Sequence, residues 1–400
     1  MYGLLSDLTV IEGASFIAGP SCGLYLAQMG ATVIRFDQRG GGPDAKRWPL
    51  SKSGESFYWQ GMNKNKLSIG LDFSQEEGRV LAKRLATSAD GLFVTNFPEA
   101  GFLSYDKLQK LRSDLICLRV MGWADGLPAV DYTVNASIGV PNMTGPESSE
   151  QPVNHVLPAW DLLAGGYGAF SLLAAERDRM KTGKGREIRV ALSDLAASTM
   201  GHLGNLAEVL EAGADRPRYG NDLFGAFGRD FETADGERLI AVAITPRQWK
   251  SLLKVLGLIE AVSTIEQELG LSFLTDEGAR FTHRERLLPL VSTAIASKTL
   301  ADLAEAFDEN GVTWSRYQSL SQAYSEDPRF FTDNPVFSSV NHPGGHSYPT
   351  PGAAARIPGE KRIDAGSAPV IGQNTDQILA DYLGMSDSEI GVLRDKKVVG

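Results

Sequence analysis

Residues 8–37 read LTVIEGASFIAGPSCGLYLAQMGATVIRFD, and this stretch decides the fold. The apolar run LTVIE at 8–12 has the length of a buried strand. From Pro20 to Met29 the pattern predicts a helix opening on a proline, whose missing N–H costs little in a first turn. Gly30 closes that helix, and ATVIRFD at 31–37 resumes as a second strand. Strand, helix and strand in succession make the unit of a parallel sheet covered by helices. The rhythm continues, with strands predicted at 68–72, 91–95, 115–120 and 188–191, and helices at 76–88, 107–113 and 158–180. A further helical stretch runs to about 211. Near Arg229 the pattern changes: DFETADGERLIAVAI predicts a hairpin turning at Asp235-Gly236. Helices are then predicted at 247–256, 287–297 and 300–309, a Pro/Gly-rich return at 342–360, and a last helix at 375–383. The chain is thus read as an α/β protein with a second, smaller α+β domain.

Composition narrows the function. The 400 residues carry 49 acidic and 39 basic side chains, a formal charge of −10, so the average field repels polyanions and speaks against a nucleic-acid partner. The two cysteines, Cys22 and Cys117, are too few for a disulfide framework, which favours a reducing, cytoplasmic setting. The five histidines fall in no metal-ligand spacing, so no metal is expected. The start, MYGLLSDLTVIEG, carries Asp7 and Glu12 in place of a basic leader and is expected to enter a first strand rather than to act as a signal peptide. No run approaches the roughly 20 apolar residues that span a bilayer, so no membrane role is expected.

Several motifs could carry chemistry. Between the first strand and helix, Gly13 to Pro20 lacks the G-x-G-x-x-G spacing of a dinucleotide site, which speaks against a nicotinamide enzyme. Gly40-Gly41-Gly42 lacks the lysine of a P-loop; it is either a mobile turn or a loop that touches phosphate, and Arg39, Lys46 and Arg47 beside it fit both. Asn63-Lys64-Asn65-Lys66 is a cationic loop at the mouth of a strand, either solvated or balancing phosphate charge. Thr95-Asn96-Phe97-Pro98 offers an amide and a ring to a cofactor. Asp161, in LPAWDLLAGGYGAF, is either a first-turn capping carboxylate or a nucleophile with little hydration to lose, and Gly165 and Gly166 would leave room for a tetrahedral centre.

Taken in order, these motifs resemble the class III CoA-transferase family of CaiB/BaiF type, which also holds α-methylacyl-CoA racemases. The resemblance runs from Leu5 through AGPSCGLYLAQMGATVIRFD (18–37), NKNKLSIGLD (63–72), TNFP (95–98), VDYTVNASIGVPNMTG (130–145) and LPAWDLLAGG (157–166) to GQNTDQILADYLG (372–384). It implies an interlocked, ring-like homodimer whose Rossmann-like large domain comes from both chain ends. The corresponding segments here are 1–225, a small α+β domain at 226–328, and a return at 329–400. It further implies an acylated Asp161 and coenzyme A as the transferred group of an acyl-CoA substrate, with no tightly bound cofactor. Phe16, Ile17, Ala18, Arg39, Lys64, Asn96 and Phe97 would contact the CoA ester. Racemases of the family carry a histidine where this chain has Val130 and a glutamate where it has Thr245, so proton transfer at an α-carbon is not expected.

Segments 33–49, 93–108, 153–165 and 218–233 resemble a branch that moves CoA between the C1 and C4 carboxyls of one dicarboxylate, mesaconate. The alternative is intermolecular transfer to another carboxylic acid. Arg47, Asn221 and Arg229 are the candidates for the free carboxylate, although surface ion pairs would also explain both arginines. Gly225 and Gly228 are candidates for a mobile cover. PEAGFL at 98–103 departs from the family's arginine-containing loop, so the cation meeting the nucleotide phosphates is left open.

Overall fold

A computed structural model describes residues 1–400. Strands β1 (Thr9–Gly13), β2 (Thr32–Gln38), β3 (Leu67–Leu71), β4 (Leu92–Thr95), β5 (Ile116–Met121) and β6 (Arg186–Ala191) pair in parallel, in the order β3-β2-β1-β4-β5-β6. Helices interleave: α1 (Ala18–Gln28), α2 (Phe57–Asn63), α3 (Glu76–Ala86), α4 (Tyr105–Leu108), α5 (Asp131–Ser137), α6 (Val140–Met143), α7 (Ala159–Thr182) and α8 (Leu192–His202). Parallel strands covered by helices are buried on both faces, which explains the near-continuous apolar runs at 10–11, 33–34 and 92–94.

Both chain ends build one core. Ile34, Phe36, Ile69 and Leu71 of the sheet pack with Leu81 and Leu85 of α3. They also pack with Ile378, Leu379, Ile390, Val398 and Val399 from the C-terminal segment, where helices span Thr375–Leu383 and Asp387–Asp395. Val399 bridges Leu71, and the Gly400 N–H donates to Gly70 O at 3.2 Å, so the chain end closes the β3 edge.

The chain divides into two compact units, one of residues 1–138, 155–207 and 328–400, the other of 139–154 and 208–327. Residues 139–154 and 208–225, which the sequence boundaries assign to the large domain, thus fall in the second unit. That unit has a three-stranded antiparallel sheet of β7 (Phe227–Glu232), β8 (Arg238–Ala243) and β9 (Thr313–Arg316), with the expected turn at Asp235-Gly236. Its core is Phe227, Leu239, Trp249, Leu252, Phe273, Leu287 and Phe307. A β10–β11 hairpin (Phe337–Asn341, Ser347–Pro351) lies in the first unit, with β11 inside the Pro/Gly-rich return read at 342–360 and β10 just before it.

Two helix expectations change. The helix expected at 107–113 is the single turn α4, after which the backbone turns. The helical stretch to 211 breaks at Gly204, whose φ of +82° a helix does not accommodate. No single helix is long and apolar enough to cross a membrane.

Candidate active site

In the order β3-β2-β1-β4-β5-β6 the direction of strand succession reverses between β1 and β4, and open parallel sheets bind ligands outside the strand ends at such a switch point. The loop after β1 and the loop after β4 meet there: Asn96 Nδ2 donates to Ser15 O at 3.0 Å, and the Ser15 N–H donates to Asn96 Oδ1 at 3.2 Å. A cleft of about 840 Å³ opens at this point. Seven of the expected residues line it together: Phe16, Ile17, Ala18, Arg47, Asn96, Phe97 and Asp161.

Asp161 sits in the first turn of α7. Pro158, the residue before that helix, provides no side-chain cap, and the buried carboxylate of Asp131 serves instead. Asp131 Oδ2 accepts the N–H of Trp160 at 2.6 Å and of Asp161 at 3.1 Å, while His155 Nε2 lies 2.8 Å from its Oδ1. The carboxylate of Asp161 is half-buried and accepts no hydrogen bond from the protein. Burial first, then the negative charge of Asp131, push its carboxyl up to about 7, against the pull of Arg47. It is an acid kept poorly solvated at the wall of an open cleft, which is the condition for a reactive carboxylate.

Above it, Arg47 lies between two rings, 5.4 Å from the Phe16 centroid and 5.3 Å from that of Tyr58, and pairs with no carboxylate. The Tyr58 hydroxyl is buried without a hydrogen-bond partner, and burial pushes its pKa above the usual phenol range, against the pull of Arg47 and with Asp161 adding to the effect. A buried, unpaired donor beside a cation suits an anionic ligand group. Ile17 precedes α1 without a side-chain cap, so the first N–H groups of that helix lack intrahelical partners where Ile17 and Ala18 meet the cleft. Arg119 braces the opposite wall: its Nη1 donates to Phe97 O at 2.6 Å, its Nη2 to Leu103 O at 3.1 Å, and its Nε pairs with Glu187 at 2.9 Å. The Phe97 ring packs on Phe36, Phe73 and Phe102.

Other expected residues stand elsewhere. Arg39 is exposed beside the C-terminal Gly400 and does not line the cleft. Lys64 is buried, with its ammonium on Gly61 O at 2.7 Å, and burial brings it down to about 8. The 63–66 loop is therefore no solvated turn: Lys66 is also buried, 2.9 Å from both Glu12 oxygens. Asn221 and Arg229 lie in the second unit, where Asn221 binds Asp230 and Arg229 pairs with Asp222. Gly228 is in β7, paired with Val242, so it is sheet and not a mobile cover. Gly165 serves helix packing: a Cβ there would lie 1.9 Å from Ser21 Oγ of α1. Thr245, where racemases carry glutamate, caps the helix Pro246–Leu256 by accepting the Gln248 N–H. Asp131, His155 and Tyr58 had no periodic or spacing signal that singled them out.

The whole chain aligns with the 2-methylfumaryl-CoA isomerase of Chloroflexus aurantiacus at 45% identity, covering 100% of this chain and 98% of that protein. The succinyl-CoA–D-citramalate CoA-transferase of the same organism is 27% identical over 99% of this chain and 98% of its own. Among solved structures, a CAIB/BAIF family protein from Brucella suis superposes with a TM-score of 0.76 at 23% identity, covering 95% of this chain and all of its own, a likeness of fold. The model of CoA-transferase family III matches residues 5–375, and the chain is an enzyme of that family.

Proposed function

We propose that the enzyme isomerises 2-methylfumaryl-CoA to 3-methylfumaryl-CoA, moving CoA from the C1 to the C4 carboxyl of one mesaconate. The full-length 45% identity to an isomerase of that name carries the choice of substrate. The chemistry is supported by Asp161, a half-buried carboxylate with no donor of its own on a cleft large enough for an acyl-pantetheine end.

Asp161 attacks the C1 thioester carbonyl; the C–S bond breaks, CoA leaves as thiolate, and a mixed anhydride forms. The thiolate then attacks the aspartyl carbonyl, releasing the mesaconate dianion and leaving CoA on Asp161 as a thioester. The dianion turns in the cleft and its C4 carboxylate attacks that thioester, expelling the thiolate and forming a second anhydride. Thiolate attack at the C4 acyl carbonyl yields 3-methylfumaryl-CoA and restores Asp161. No proton is gained or lost overall. Each addition places negative charge on an oxygen, and the free N–H groups at the start of α1 are the donors in reach of the cleft. Arg47 and Tyr58 hold the free carboxylate of the diacid.

The enzyme acts as a homodimer in this account. The exposed apolar stripe of Leu163, Tyr167 and Phe170 on α7 is a surface that a second copy would cover, and light scattering of dilute, active protein should give twice the chain mass. The reaction is tested with 2-methylfumaryl-CoA plus an excess of isotopically labelled free mesaconate. The expected product is unlabelled 3-methylfumaryl-CoA. Label in the product would show intermolecular transfer, and an unchanged thioester would defeat the assignment.

A further inference from the structure

Phe16 is a non-glycine residue held at φ +71°, a left-handed conformation that costs an L-residue with a bulky side chain and persists only where its surroundings enforce it. The enforcement comes from a buried group outside the cleft lining. Asp44 Oδ2 accepts the Phe16 N–H at 3.0 Å, and the same carboxylate takes Arg35 Nη2 at 3.0 Å on both oxygens. Arg35 is itself fixed by Asp37, through Nε at 2.9 Å and Nη2 at 2.8 Å, and by Asn63 at 3.0 Å. Asn63 Oδ1 also accepts Lys66 Nζ, which reaches Pro20 O in the first turn of α1. All of these side chains are buried. The residue before Phe16 is gripped from the other side by Asn96.

We propose that Asp44 is a positioning residue for CoA transfer: it holds Phe16 left-handed through the Phe16 N–H and so keeps the free N–H groups at the start of α1 on the cleft that contains Asp161. Asp44 touches no reacting atom. Arg35 anchors it, and the two residues between Asp44 and Arg47 tie the anchor to the cation over the same ring. The clasp thus links the loop after β1, the loop after β2 and the helix start that meets the acyl group.

Given the proposed reaction, a double-mutant cycle at 16 and 44 tests this. Without Asp44, a phenylalanine relaxes out of the left-handed region, whereas a glycine occupies either hand at similar cost. Asp44→Ala should therefore lower kcat about tenfold in the Phe16 enzyme but only about twofold in the Phe16→Gly background. Asp44→Asn, which keeps an acceptor for the Phe16 N–H, should recover most of the loss. Arg35 retains Asp37 and Asn63 in each variant, so the fold has support, and a crystal structure of Asp44→Ala gives a readout independent of activity. There, φ of Phe16 should leave the left-handed region. Equal losses in both backgrounds, or an unchanged left-handed Phe16 without Asp44, would overturn the inference. A wild-type enzyme inert toward 2-methylfumaryl-CoA would defeat the proposed reaction alone, and the Phe16 backbone of Asp44→Ala would still decide the role of Asp44.

Discussion

In the proposed mechanism Asp161 has to be ionised to attack a thioester, while burial and Asp131 favour its neutral form. Turnover at low substrate should therefore rise with pH up to about 7 and level off above it, as a pH profile of kcat/KM would show. The same shift works against stability. Between about pH 4 and 7 the folded protein keeps a proton that the unfolded chain has released, so stability from this group is complete below pH 4 and lost as pH rises through about 7. Asp161→Asn should thus be more stable than wild type at pH 8, by roughly 2–4 kcal/mol, and similar to it near pH 4, in urea unfolding at the two pH values. Tyr58→Phe deletes a buried donor without a partner, so it should leave stability within about 1 kcal/mol of wild type while lowering kcat/KM about tenfold. Asp161 was legible in the sequence because an acid stands out in an apolar helix opening. Tyr58 was not, since its meaning lies in a missing partner that only three-dimensional accounting reveals. Lys66 was misread for a related reason: its partner Glu12 is 54 residues away.

Helix packing sets where Asp161 stands. Glycines on α1 and α7 let the two backbones approach, and Gly165 leaves no room for even a methyl group beside Ser21 and Ala18 O. Gly165→Ala should cost about 1–3 kcal/mol in chemical denaturation, and Ser21→Gly in the same chain should return part of it. The sequence pattern located both helices, yet it suggested that Gly165 made room for the reacting carbon. Composition cannot say whether a glycine faces a ligand or a neighbouring helix. Strands β1 to β5 were legible because parallel strands buried on both faces leave largely apolar runs. The four-residue β9 and the hairpin β10–β11 were not, as their burial is partial and their pairing partners are distant or polar.

At the scale of the whole chain, the strand order and the family assignment agree on the place of the site, since the switch between β1 and β4 is where the motif residues gather. The motifs at 16–18 and 95–98 converge there, whereas Arg39 and Lys64 of the same unit do not. Sequence order alone could not separate the two groups, because each basic residue stands in a loop or near a strand end. What remains central is that one carboxylate carries the acyl group and then CoA. The most direct measurement is mass spectrometry of the full-length enzyme, acid-quenched during turnover of 2-methylfumaryl-CoA and then digested. The account predicts an acyl or CoA adduct on the peptide holding Asp161, captured by hydroxylamine and lost in a folded, substrate-binding Asp161→Ala enzyme. An adduct mapped to another residue, or full turnover by Asp161→Ala, would contradict it.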